Sequence, residues 1–232
     1  MLPARIAELL EPFLISANDH GLSIPSPKLS GAANDALLQH ISTYIDMLQR
    51  WNARINLTAI RSEEEIVTRH FGESLFAARH LFPRKNDQEG RAPIATAVAD
   101  LGSGAGFPGV PIKLWALEIS LTLIESNQKR AAFLREVVRT LTLTNVNIQN
   151  VRAEDIGPDQ TFDLVTLRAV ERFVAILPTA ARLVAPGGQL ALLIGSSQVT
   201  AAQKILPEFF WQPEIPIPSS KARTLLVGMR EP

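Results

Sequence analysis

The chain has 232 residues, with 23 Lys+Arg against 23 Asp+Glu and a formal net charge of zero, so it is not a generally basic nucleic-acid binder; any polyanion must meet a local patch. It contains no cysteine, which excludes disulfides, cysteine zinc sites and thiol nucleophiles and accords with a cytoplasmic protein. A hydrophobic share of 46%, a charged share of 20% and no apolar run near the ~20 residues of a membrane span lead us to expect a soluble chain with one α/β domain and an appended piece.

The first segment, MLPARIAELLEPF, carries Glu8 and Glu11 within its apolar pattern and reads as an amphipathic helix rather than a signal peptide. In ALLQHISTYIDMLQRWNARI, the residues Leu37, Leu38, Ile41, Ile45, Leu48 and Trp51 recur at helical spacing. SEEEIVTRHF then opens with a capping box, Ser62 and Glu65, ahead of the apolar Ile66, Phe71, Leu75 and Ala78. Residues 1–82 are therefore expected to form a helical cap, and the polar, proline-bounded segment 83–93 a linker or loop. From Ile94 the pattern alternates. Strands are expected at Thr96–Leu101, Leu121–Glu125, Val146–Val151, Phe162–Leu167 and Gln189–Ile194, and helices at Gly109–Leu117, Asn127–Leu141, Phe173–Val184 and Val199–Phe209. Pro186, Gly187 and Gly188 stop the third of these helices, and the tail, Trp211–Ile217 and Thr224–Met229, has room for two hairpin-like strands. Such alternation over 94–232 predicts an α/β, Rossmann-like domain, a mostly parallel sheet with helices on both faces.

The first strand runs into DLGSGAGFPG, residues 100–109. Gly102, Gly104 and Gly106 at the carboxyl end of a strand let backbone approach a ligand, and GAGFPG satisfies the GxGxxG pattern of dinucleotide sites. Asp100 argues for a different ligand. It would repel a pyrophosphate but favour the sulfonium and ammonium of S-adenosylmethionine, and Pro108 removes an amide that a phosphate would use. Glu125, at the end of the second strand, suits two ribose hydroxyls, and Glu154 with Asp155 after the third suits an adenine. A tight turn, a helix N-terminal acid and a solvated turn would separately account for these pieces; their order along the chain favours the binding site.

A cytosine-C5 transfer mechanism needs the missing cysteine, and TLRAVERF after the fourth strand lacks the proline-rich signature of enzymes that methylate exocyclic amines. Transfer to a ring nitrogen such as guanine N7 removes no proton and requires positioning and charge management, so neither an obligate acid–base residue nor a metal is expected.

WNARINLTAIRSEEEIVTRHFGESL (51–75), DLGSGAGFPGVPI (100–112), ESNQKRAAFLREV (125–137), VRAED (151–155) and LRAV (167–170) resemble the glucose-inhibited division protein B family, bacterial small-subunit ribosomal RNA guanine-N7 methyltransferases. The resemblance implies a seven-stranded class I methyltransferase sheet, S-adenosylmethionine as donor and a guanine in the decoding-region loop of 16S rRNA as acceptor, with a monomer as the expected state. By position it implies donor contacts at Gly102 and Phe107, adenine contacts at Ala153 and Glu154, and a positioning role for Arg168 on donor or guanine. Two positions depart from the family pattern: Glu73 stands where Asp is usual, and Ile194 stands where a Lys precedes the glycine after the fifth strand. RNA contacts are expected from Lys129 and Arg130, cations at a helix start where they oppose the dipole, from Arg172 beside Arg168, and from Arg61, Arg69 and His70 of the cap. A solvated charged surface, or for His70 a structural histidine, is the simpler account of each. A small-molecule methyltransferase with an enclosed pocket and a non-catalytic ribosome assembly protein remain the competing readings.

Overall fold

The computed structural model describes residues 1–14, 32–83 and 96–232, so the expected linker at 83–93 lies, but for Pro83, outside the described residues. The helices α1 (Pro3–Leu14), α2 (Ala32–Ile55), α3 (Glu63–Glu65) and α4 (Glu73–Leu81) precede the first strand. Alternation then runs β1 (Ala97–Leu101), α5 (Gly109–Trp115), β2 (Ser120–Ile124), α6 (Gln128–Thr140), β3 (Val146–Gln149), β4 (Phe162–Arg168), α7 (Phe173–Leu183) and β5 (Val184–Gly195). It closes with α8 (Val199–Ile205), β6 (Phe209–Trp211), β7 (Ile215–Pro216) and β8 (Arg223–Arg230).

The sheet order is β3-β2-β1-β4-β5-β8-β6, the expected seven strands, with the two-residue β7 paired to β8 off this path as an eighth. β1 to β5 are parallel, and β8 inserts antiparallel between β5 and β6. β1 lies between β2 and β4, where the winding reverses, and a crevice forms at that switch point beyond the strands' carboxyl ends.

Period-two alternation divides the interior into two cores. Val98, Leu121, Leu123 and Leu164 face one side, covered by α1, α2, α4, α5 and α6; Ala99, Leu101, Val165 and Leu167 face the other, covered by α7 and α8. The N-terminal helices thus share a hydrophobic core with the sheet.

Three boundaries depart from expectation for physical reasons. Ser62 caps α3 through Glu65 N, yet the chain continues as a π-helix over Ile66–Gly72 before α4. Ile66 and Phe71 are five residues apart and both buried, a spacing that matches the wider π turn and not an α-helix. β5 begins at Val184, five residues early, because Pro186, Gly187 and Gly188 end α7 while the backbone re-pairs with β4 through a register shift. α8 stops at Ile205 rather than Phe209, since Pro207 follows and Phe209 pairs with Arg230.

Candidate active site

The loop after β1 is held from three directions. Gly102 N and Ser103 N both donate to the carbonyl of Ile124, at 2.9 and 3.1 Å, and Ser103 Oγ donates to the carbonyl of Asp100 at 2.8 Å. Tyr44 of α2, fully buried, donates its hydroxyl to the carbonyl of Ala105 at 2.5 Å and stacks on Phe107 at 5.4 Å. Gly106 has φ +85°, and a Cβ there would lie 2.2 Å from the Tyr44 hydroxyl, so the helical segment fits the loop only over a glycine.

Glu125 closes the arrangement at the end of β2. Its Oε2 accepts from Gly104 N at 2.9 Å and its Oε1 from Asn127 N at 2.7 Å. Asn127 in turn caps α6, accepting from Lys129 N and Arg130 N. Each carboxylate oxygen keeps a lone pair, so two vicinal hydroxyls can still donate to it.

A cleft of about 530 Å³ opens here, walled by Gly102, Gly104, Phe107, Glu125, Glu154 and Arg168 and rimmed by the exposed Arg130 and Arg172. An exposed rim is unlike the enclosed pocket that a small acceptor would favour. The loop glycines, the strand-end acid and a cleft this size fit an adenosyl ligand.

Four sequence expectations need correction. Asp100 is not at the cleft: fully buried, it accepts from Gly109 N at 3.2 Å and from Thr166 Oγ1 at 2.9 Å. Alternation along β1 turns it towards the helices with Val98, where it holds the start of α5, so it cannot choose between sulfonium and phosphate. Burial raises its carboxyl to about 6, against the opposing hydrogen bonds from Thr166 and Gly109. Gly106 is likewise off the cleft wall, its role being the approach of Tyr44. Ala153 packs into the core on the far side of the sheet, while its neighbour Glu154 reaches the wall.

His70 is the fourth. At 9% exposure it stacks on Phe107 at 4.7 Å, with Nε2 2.8 Å from Thr58 Oγ1 and Nδ1 3.2 Å from Arg168 Nη1. Burial, then the guanidinium of Arg168, lowers its pKa to about 3, so it is neutral and offers no cation to a phosphate.

Arg168 ends β4 on the cleft wall, and its guanidinium is held at both ends: Nη1 at His70, Nη2 donating to the carbonyl of Arg69 at 2.7 Å and to Glu73 Oε2 at 3.0 Å, while the buried Nε has no partner among the described residues. Burial works against its charge and Glu73 supports it. The same Glu73 oxygen pairs with Arg223 of β8 at 2.9 Å. One carboxylate thus fixes two arginines, which explains the acid before Ser74-Leu75. Tyr44, Thr58 and Arg223 were not singled out as site residues in the sequence; the only signal was a polar residue within an otherwise apolar or loop stretch.

Next to the cleft lies a second depression of about 620 Å³, lined by Arg54, Arg61, Lys129 and Arg130 with three asparagines, Ala53 and Ile55, and by no acid. Arg130 borders both. The structure thus brings Lys129, Arg130 and Arg61 together and adds Arg54, whereas Arg172 sits on the cleft rim and the exposed Arg69 touches neither wall with its side chain. Ile194 is buried in β5 opposite Thr224.

A family profile for GidB, rRNA small subunit methyltransferase G, matches residues 37–210. The ribosomal RNA small subunit methyltransferase G of Roseiflexus castenholzii is 36% identical over 201 residues, 82% of each chain. That of Xanthomonas campestris pv. campestris is 36% identical over 152 residues, 66% of each chain. Among solved structures, magnesium protoporphyrin IX methyltransferase from Synechocystis PCC 6803 with bound SAM superposes with a TM-score of 0.60 at 15% identity, covering 83% of this chain and 97% of that one. Ribosomal protein L11 methylase from Lactobacillus delbrueckii subsp. bulgaricus gives 0.55 at 15% identity, over 70% and 79%. Both likenesses are of fold.

Proposed function

The chain belongs to the rRNA small subunit methyltransferase G family, and from that premise we propose that it uses S-adenosylmethionine to methylate N7 of a guanine in the decoding-region loop of 16S rRNA. In this reading residues 1–82 are a helical cap, 83–93 the connection and 94–232 the methyltransferase domain of a cytoplasmic monomer. No helix among the described residues is long and apolar enough to cross a membrane.

The observation that carries the RNA reading is the acid-free groove of Arg54, Arg61, Lys129 and Arg130 running into the cleft at Arg130. A backbone of phosphates laid on it would bring one base to the cleft, and a small acceptor would have no use for it. Gly102, Gly104 and Glu125 would hold the adenosyl end, with Glu125 on the ribose hydroxyls and Glu154 near the base; Arg172 would meet RNA at the rim. When bound, S-adenosylmethionine supplies a methyl carbon that the N7 lone pair takes while the S–C electron pair stays on sulfur, and no proton is transferred. The chain contributes orientation: Arg168, held by Glu73 and His70, keeps one face of the cleft rigid. The neutral His70 adds no positive charge beside a base that becomes cationic.

The competing assembly-protein reading rests on Ile194 standing where the family carries a Lys. Its side chain belongs to the core and does not line the cleft. The test is methyl transfer from labelled S-adenosylmethionine into small subunits lacking the modification, with the product located by borohydride and aniline cleavage. One new cleavage in 16S rRNA is expected; no RNA label despite donor binding would overturn the proposal.

A further inference from the structure

Thr58 follows α2 and lines the cleft, half exposed. Its backbone is clamped by Asn52, which accepts from Thr58 N at 2.9 Å and donates to the carbonyl of Thr58 at 3.0 Å. Its hydroxyl oxygen lies 2.8 Å from His70 Nε2 and accepts from Ile60 N at 3.1 Å.

Which of Thr58 and His70 donates is decided one bond further along. A guanidinium only donates, so Arg168 Nη1 makes His70 Nδ1 an acceptor, and the single ring proton of the neutral imidazole sits on Nε2. Nε2–H therefore donates to Thr58 Oγ1. With the Ile60 amide on the other lone pair, both acceptor positions of the hydroxyl are filled. Its O–H remains, and no acceptor for it is found among the described residues.

We propose that Thr58 Oγ1–H is the donor that binds O6 of the target guanine, so that Thr58 admits guanine and refuses adenine. The inference rests on the guanine reading above. O6 and N7 lie on the same edge of the base, so a donor placed on O6 fixes the ring while leaving the N7 lone pair open for attack. A donor placed on N7 would block it. Adenine carries an amino group where guanine carries O6, and two donors would then face each other. An ordinary threonine would rotate and accept; this one has no lone pair left. Arg168 acts at a distance in this scheme, as the positioning residue that sets the histidine tautomer.

The experiment compares small subunits reconstituted with 16S rRNA bearing either guanosine or 2-aminopurine ribonucleoside, which lacks O6, at the mapped position. Wild-type enzyme is expected to favour guanosine by about tenfold in kcat/KM, the order of one hydrogen bond made to the base. Thr58→Val should lose about that factor on guanosine only, bringing the ratio close to one, and Thr58→Ser should restore it. Donor affinity, measured by calorimetry on each variant, verifies that the cleft is intact. Equal losses on both substrates, or a wild-type enzyme that does not discriminate, would overturn the role of Thr58 while leaving the methyltransferase reading in place. No transfer to guanosine by wild-type enzyme would remove the guanine reading and this assignment with it.

Discussion

Arg168 on the cleft wall is 8% exposed and bound to His70, Arg69 and Glu73, whereas Arg54, Lys129 and Arg130 in the adjoining groove are exposed and form no ion pair among the described residues. The same charge serves two purposes. In the buried cluster it is pinned by its partners, although burial still lowers its pKa, so it acts as rigid framework, insensitive to salt. In the groove it is exposed to water and unpaired among the described residues, so its value would appear when a polyanion displaces counterions. Buried charges should therefore reveal themselves in stability and pH dependence, and groove charges in salt-dependent binding.

The largest effect is expected from Glu73→Ala. It strands two guanidinium groups, Arg168 and Arg223, and should cost about 3 to 5 kcal/mol in denaturant unfolding. A loss below about 1 kcal/mol would mean the cluster is not the rigid element described. Gly104→Asp comes next. Gly104 has φ +56° and donates its amide to Glu125, so a second carboxylate there sets like charges together in a strained backbone. S-adenosylmethionine binding should fall by roughly a hundredfold or more, about 3 kcal/mol, by calorimetry.

Asp100→Asn tests the interior by pH. The folded-state pKa of about 6 lies above the ordinary value of 3.8, so the folded protein holds more protons than the unfolded chain between these limits. Stability from this group is present below about pH 4 and is lost as pH rises through about 6. His70 has the opposite sign: depressed to about 3 from 6.5, it stabilises the neutral range and loses that contribution as pH falls through the window. The two slopes oppose each other in the wild-type protein. Removing Asp100 leaves that of His70, so the variant should gain up to about 3 kcal/mol relative to wild type between about pH 4 and 7. A pH-independent difference in thermal unfolding would refute the placement of the charge.

The smallest change in the fold, and the sharpest in binding, belongs to Lys129→Ala with Arg130→Ala. Stability should move within about 0.5 kcal/mol. Affinity for rRNA should drop, and its log–log salt slope should flatten by roughly 0.7 for each loop phosphate that is no longer neutralised. An unchanged slope would show that the groove does not carry RNA.

The glycine loop, Glu125, the order of strands and helices, and the basic start of α6 were legible because each depends on local pattern: glycine after an apolar run, an acid at a strand end, periodicity of two or about three and a half. The π-helix was half visible, since Ile66 and Phe71 stand out as apolar but their spacing of five passes for an irregular α-helix. The expected tail strand Trp211–Ile217 divides into the end of β6 and the two-residue β7, a break too short to show in the pattern. Asp100 misleads because its charge is conspicuous in the sequence while the parity of its strand, which turns it away from the cleft, is not.

By itself the sequence determined the alternating architecture, the glycine loop after β1 and the family, because these rest on contacts between residues near in the chain or on motifs carried whole. Only the tertiary structure decided which charges are framework and which are surface. Glu73 meets Arg168 and Arg223, and Tyr44 meets Ala105, across separations that no periodicity encodes. The protonation of His70, and with it the direction of the Thr58 hydroxyl, follows from an arginine that the fold brings from β4. Hydrogen-bond roles depend on which donor arrives, and that depends on how the helices dock on the sheet.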